Sequence, residues 1–198
     1  MNMTKAERTR QQIIEKTAYL FNQKGFDGTT LADLTHATGL TKGSLYGNFR
    51  DKEEIALAVF KYSMIKIREL SREELSSVKT YKGKLIALHK FFVNYVMKPP
   101  IPGGCPLLNT AVEADDHHVS LRKEVAKSFT KVIDFMTELI EEGKKNNEFR
   151  RNANSRQLAM TMFCAIEGAI VFSRVSSSRD PIKAVSQYCY QLLDQISL

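Results

Sequence analysis

Cysteine, proline and glycine are scarce in this chain, and tryptophan is absent. The three cysteines, Cys105, Cys164 and Cys189, are too few and too scattered for a disulfide framework or a zinc ribbon. A reducing cytoplasm is the simplest setting for them. No run of 18 or more uncharged apolar residues occurs, so no membrane-spanning helix and no membrane partner are expected. The first residues carry Lys5, Glu7, Arg8 and Arg10 with no apolar stretch behind them, unlike a secretory signal. Strand signals are also missing: no two alternating runs are joined by a hairpin dipeptide.

What is present is a helical globular composition. The chain has 198 residues, 43% of them hydrophobic and 26% charged, which excludes disorder over most of its length. A chain of this size buries roughly 70% of its unfolded surface and needs no covalent or metal staple. The net charge of +7 favours an anionic partner. Residues 1–54 contribute only +1 of it and the remainder +6. An N-terminal nucleic-acid site would therefore rely on placed cations and not on bulk charge.

The apolar residues recur with helical period. Ile13, Ile14, Thr17, Ala18 and Phe21 share one face, and Val185, Tyr188, Cys189, Leu192, Leu193 and Ile196 repeat the pattern. Nine helices are predicted, near residues 5–24, 31–38, 42–49, 52–75, 82–97, 106–114, 120–145, 155–175 and 181–196. Gly25 stops the first. Thr30 with Asp33 forms a near capping box for the second, Asp51 caps the fourth, and Asp180 caps the ninth ahead of Pro181. Pro99, Pro100 and Pro102 with Gly103-Gly104 force a break before the sixth helix. The fold class is all-α. An N-terminal domain spans residues 1–52 and a second spans 53–198, with the fourth helix (about 52–75) connecting them.

Residues 30–49 have the outline of a helix-turn-helix. Gly39 suits the turn. Ala32, Leu34, Ala37 and Leu40 let two helices cross closely, and Leu45 with Phe49 anchors the second helix. Thr41, Lys42, Gly43, Ser44, Tyr46, Gly47 and Asn48 are left to face outward. Hydrogen-bonding groups interleaved with glycine suit the major groove of double-stranded DNA. Thr29 and Thr30 at the second helix, and Lys52 at the start of the fourth, are candidate phosphate contacts. Lys5, Arg8 and Arg10 are a candidate arm along the duplex. A small helical subdomain without DNA binding would show the same outline, although it has little use for an exposed Tyr46.

The stretch from Thr9 to Ile14, Leu20 to Phe26, Thr29-Thr30, Ala37 to Phe49 and Lys52 to Ile55 resembles the DNA-binding domain of the TetR/AcrR transcriptional regulators. The resemblance covers about a quarter of the chain. Asn48 stands where many members have histidine, and Gly47 is smaller than many family residues there. The resemblance implies an all-helical homodimer, usually a repressor, released from operator DNA by a small molecule. It implies that helices four to seven enclose the effector cavity and that helices eight and nine form the dimer interface.

The rest of the chain supplies candidates for both roles. Leu158, Met162, Ala165, Ile166 and Ala169 form an apolar stripe, and Ala184, Tyr188, Gln191 and Gln195 a neighbouring face. Candidate effector contacts are Phe60, Met64, Phe91, Tyr95, Cys105, Asn109, Glu113, Phe129, Met136, Phe163 and Glu167. Aromatic residues and methionine at helical spacing are more often core than pocket, so the polar members carry more information. Glu167 interrupts an apolar segment, and Asn109 and Glu113 share a face. The effector implied is largely apolar.

Cys105 precedes Pro106 at a helix start, a place that lowers a thiol pKa. A thiol-based sensor is therefore the alternative to small-molecule release, and a small residue packed at a turn is the plainer reading. Glu113, Asp115, Asp116, His117 and His118 are rich in metal-ligating types, but they do not share one helix face and no second segment supplies ligands. No metal and no cofactor are expected. No nucleophile elbow or phosphate-binding glycine loop occurs, so an enzyme is not expected. A helical adaptor that does not bind DNA is the remaining alternative.

Overall fold

The computed structural model describes residues 3–198, apart from the side chains of Val96, Met97 and His117. Among the described residues there are nine helices: α1 (Lys5–Gly28), α2 (Leu31–Thr38), α3 (Lys42–Asn48), α4 (Lys52–Ser76), α5 (Tyr81–Met97), α6 (Pro106–His117), α7 (Val119–Lys145), α8 (Ser155–Val175) and α9 (Asp180–Ile196). Among them a single isolated antiparallel bridge joins Phe149 and Ser197.

The helix ends follow from local chemistry. Thr4 and Glu7 form a capping box at α1, and Thr30 and Asp33 form another at α2. α1 continues to Gly28, but Gly25 interrupts it with φ 76° and ψ 179°. α2 closes on Gly39 in the left-handed region at φ 73°. Asp51 accepts from the Glu54 N–H at the start of α4 (2.8 Å). At α9 the N-cap is Arg179 and not Asp180. Asp180 thus takes the first helical position and Pro181 the second, where its missing N–H costs no intrahelical bond.

The chain divides into two compact units that are not continuous in sequence. One comprises residues 1–66 with 101–126, and the other 67–100 with 127–198. α6 thus belongs with α1–α3, and α4 and α7 contribute residues to both units. In the first unit Ile13, Ile14, Ala18, Leu20, Leu34, Leu45, Phe49, Ile55 and Val59 form one core, joined by Ile101. Burial of each large side chain there is worth about 1.5–3 kcal/mol against exposure.

In the second unit α8 packs on α5 and α9. By length and composition α8 could cross a membrane, its mean hydropathy reaching 1.6 over 18 residues. Nine of its residues, including Met162, Phe163, Ile166 and Ala169, are instead buried in the unit. The apolar stripe expected to face a partner is therefore mostly core. Leu158 and Ala165 are half-buried. The outward stripe is Met160, Cys164, Gly168, Val171 and Val175, with Phe172 beside it. Glu148 ties this unit together by accepting from the N–H groups of Tyr81 and Lys82 at the start of α5 (2.9 Å each).

Candidate functional site

The shape of α3 follows from two buried anchors. Leu45 is fully buried and Phe49 nearly so, which turns the opposite face of this short helix to solvent. Thr41 caps it by accepting from the Ser44 N–H (3.2 Å). Lys42, Gly43, Tyr46 and Gly47 are exposed, while Ser44 and Asn48 are half-buried. Tyr46 keeps 38% of its surface. Asn48 turns back, its amide donating to the Ser44 carbonyl (2.8 Å).

The remaining candidates separate into free and engaged groups. Thr30 is exposed at the N-cap of α2, with its hydroxyl shared with Asp33. The Lys24 ammonium, with the Thr30 N–H behind it, holds the Asp33 carboxyl down at about 2. Thr29 is fully buried and donates to the Gly25 carbonyl (2.6 Å), so it closes a turn of the chain. Lys52 donates to the carbonyls of Phe26 (2.8 Å) and Thr29 (3.2 Å), and its ammonium lies 4.3 Å from the centre of the Phe26 ring.

Within the basic arm, Lys5 and Arg8 are exposed. Arg10 is not part of it. Its guanidinium donates to the Asn48 carbonyl, pairs with Glu54 (2.6 Å) and lies 3.9 Å from the centre of the Phe49 ring. Arg10 therefore pins the end of α3 to α1 and α4. The Arg50 N–H, and then Arg10, keep the Glu54 carboxyl below its ordinary range. Arg50 itself is a cation that the sequence pattern passed over. Its side chain is 79% exposed just after α3, and its Nε donates to Asp51 (2.8 Å). The signal was its place one residue past the Phe49 anchor.

The candidate effector contacts fall into both units. In the first, Phe60 and Glu113 line one small cavity of about 20 Å³ with Phe21, Ser63, Pro106 and Thr110. Met64 is half-buried, and Cys105 is buried at the N-cap of α6. Asn109 and Glu113 are engaged with α1. Asn109 donates to the backbone carbonyl (3.0 Å) and side-chain oxygen (2.9 Å) of Asn22, and Glu113 accepts from the N–H groups of Phe26 and Asp27. In the second unit Phe91 meets Tyr95 edge-on at 6.1 Å, and Phe129 meets Phe163 at 6.0 Å. Met136 and Glu167 are buried there. No three His, Cys, Asp or Glu side chains gather at one point among the described residues. The His117 part of the acidic and histidine run lies outside the described side chains.

Comparison with known proteins gives this arrangement a context. Residues 13–59 match the family model "Bacterial regulatory proteins, tetR family". Residues 82–189 match "Tetracyclin repressor-like, C-terminal domain", more than half of the chain. The crystal structure of a TetR-family transcriptional regulator from Cytophaga hutchinsonii is 36% identical, with a TM-score of 0.92 over 100% of this chain and 99% of that one. The HTH-type transcriptional repressor NemR of Escherichia coli K12 is 24% identical over 92% of both chains. A cysteine mutant of the TetR-family regulator CifR, complexed with 26-bp double-strand operator DNA, shares the fold at a TM-score of 0.81 and 18% identity, over 91% of this chain and 94% of that one. With its helix-turn-helix exposed on α3 and both family models matched in order, this chain belongs to the TetR family of DNA-binding transcriptional regulators.

Proposed function

We propose that this protein is a homodimeric repressor that binds a palindromic operator and leaves it when a largely apolar small molecule binds. The observation that carries the reading is α3 itself: two buried anchors on one side, and Lys42, Gly43, Tyr46 and Gly47 bare on the other. Two such helices, about 34–36 Å apart, reach successive major grooves on one face of the duplex. Thr30, Thr41, Tyr46 and Arg50 fix the register on phosphates, while Lys42 and Ser44 read base edges. A target on the chromosome places the protein in the cytoplasm.

The exposed α8 stripe supports the dimer. Phe172 keeps 62% and Val175 82% of their surface, and Tyr188 of α9 is exposed as well. The aromatic groups Phe91, Tyr95, Phe129 and Phe163 support an apolar effector. Such an effector acts only by binding the DNA-incompetent spacing of the two heads more tightly than the competent one.

Selection of binding sites from a random duplex library at two salt concentrations tests the reading. Enrichment of an inverted repeat is the expected result. Binding that shows no enrichment and vanishes with salt leaves nonspecific charge attraction, and the adaptor reading replaces this one. A second reading rests on Cys105, buried at the N-cap of α6. It predicts that oxidant frees wild-type protein from the selected duplex and leaves Cys105→Ser bound. An equal response in both sinks it.

A further inference from the structure

The helix-turn-helix leaves most of the chain's charge unexplained, because +6 of the net +7 lies beyond residue 54. Much of it comes from two stretches of the second unit. Residues 75–100 hold five lysines and no acidic residue, and residues 144–156 hold five cations against Glu148 alone. The fold brings the two stretches together where the turn before α5 meets the connection from α7 to α8. The Glu148 carboxylate accepts from the N–H groups of Tyr81 and Lys82 (2.9 Å each), and a Cβ at Gly143 would lie 3.2 Å from the Tyr81 Cβ. The one acid of the second stretch is thus engaged by backbone.

The connection between α7 and α8 is tied down along its length. Phe149 is fully buried, the Arg150 N–H donates to the Ile196 carbonyl (2.7 Å), and Lys144 donates to the Ala153 carbonyl (2.6 Å). On this fixed turn Arg150 and Arg151 are exposed. Nearby, Lys82, Lys144, Lys145 and Arg156 pair with Asp194, Glu141, Glu142 and Asp134 at 2.6–2.9 Å. Among the described residues no carboxylate takes up the side chains of Lys79, Arg150 or Arg151. Helix stability does not account for the charge gathered here. α5 and α8 begin at this corner with Lys82 and Arg156 in their first turns and no acid, where the helix dipole favours the opposite sign.

Guanidinium groups that no carboxylate neutralises, beside the exposed amides of Asn147 and Asn152, fit a row of phosphates. Among the described residues of this corner Leu198 is the one large apolar side chain that is exposed. A bilayer is a poorer match, since stable binding there asks for apolar burial beside the cations. We infer that this corner of the second unit is a second, sequence-independent site for the phosphate backbone of double-stranded DNA, with Arg150 and Arg151 as its main contacts. Phosphate contacts carry no base information, so any duplex serves. The inference goes beyond the repressor reading: protein held on its operator through α3 takes up another segment of duplex at this corner.

The test uses full-length wild type, the double variant Arg150→Ala with Arg151→Ala, and a control of equal charge, Lys90→Ala with Lys131→Ala, which takes two exposed lysines from α5 and α7. Affinity for a duplex without the inverted repeat is first measured against salt. The control is expected to keep the wild-type slope. The arginine variant is expected to lose about two units of it, roughly 0.9 for each phosphate contact removed. Protein is then loaded on an immobilised inverted repeat and offered a free labelled duplex that lacks the repeat. Wild type and control are expected to capture the free duplex. The arginine variant is expected to capture about tenfold less, with unchanged helix content and unchanged affinity for the repeat. A wild-type slope in the arginine variant overturns the site, and so does an equal loss in the control, which would assign the effect to net charge. Absence of capture by wild type overturns it as well. Capture of vesicles of phosphatidylcholine and phosphatidylserine in about equal parts, with no capture of duplex, replaces the duplex by a membrane surface. If the repeat itself is not held, the repressor reading falls, and the slope alone decides this one.

Discussion

Two exposed faces of this molecule are not used by its own fold, and they differ in kind. On α3 the bare face carries Lys42, Tyr46 and two glycines. On α8 it carries Met160, Val171, Phe172 and Val175. A helix that only had to be soluble would show charge on both. The α3 face offers hydrogen bonds and close backbone approach, which suit a polar, grooved, negatively charged partner. The α8 face offers apolar area, which suits a surface of the same kind, a second copy of this chain. The contrast teaches that the unused face of a helix is shaped by what covers it.

Charging the apolar face is the most severe way to break this contrast. On the dimeric reading, Phe172→Glu would bury a carboxylate against its own symmetry mate. Sedimentation is expected to show monomer in place of dimer. Affinity for the selected inverted repeat is expected to fall by about 100-fold or more, with half-site affinity unchanged. A variant that remains dimeric places the interface elsewhere.

The next test concerns what holds α9 behind that face. His89 of α5 is almost fully buried and shares a 2.7 Å hydrogen bond with Ser186 of α9. Because the Ser186 hydroxyl donates to the Ile182 carbonyl (2.6 Å), His89 is the donor through Nε2. Burial lowers the His89 pKa from 6.5 to about 4. The unfolded chain therefore takes up a proton below about 6.5 that the folded chain refuses until about 4. Stability is fully present above 6.5 and is lost as pH falls through that window, by about 2 kcal/mol between pH 7 and 5. Thermal melts at the two pH values check this. His89→Gln is expected to melt with a smaller difference between them, and an equal difference rules His89 out as the source.

On the polar face, Tyr46→Phe is expected to weaken all duplex sequences about equally, by about five- to tenfold, as loss of a phosphate bond does. A changed base preference would make Tyr46 a base reader instead. Lys42→Ala separates the two roles of its own cation. A salt slope reduced by about one unit marks a phosphate contact, and relaxed preference at one position marks a guanine contact.

How far the sequence spoke depends on the distance over which each feature is decided. The break at Gly25, the box of Thr30 with Asp33 and the anchors Leu45 and Phe49 are settled within four residues, and the pattern shows them. Thr29, Lys52 and Arg10 look like phosphate ligands by type and place. Their partners, Gly25, Phe26 and Glu54, are met only once the chain has folded. Asn109 and Glu113 face Asn22, Phe26 and Asp27 across more than 80 residues, so no spacing rule reaches them. The α8 stripe errs by roughly 140°, close to the opposite face. Both faces of that helix are apolar, and periodicity cannot say which of two apolar faces is the core.

The finest test of the contrast is Gly47→Ala. Nothing in the fold asks for glycine at this position. A Cβ there meets no atom within 4 Å, and the residue lies inside α3 in ordinary helical conformation. Glycine in a helix costs about 0.5–1 kcal/mol relative to alanine. Gly47→Ala is therefore expected to raise stability by that amount in a denaturant titration. If the bare strip at Gly43 and Gly47 admits the wall of the groove, the same methyl group is expected to lower affinity for the selected duplex by about threefold to fivefold. A single substitution then moves stability and binding in opposite directions, which a purely structural helix cannot do. Stability gained with binding unchanged would mean that the duplex never comes within a methyl group of Gly47, and that readout ends at Tyr46.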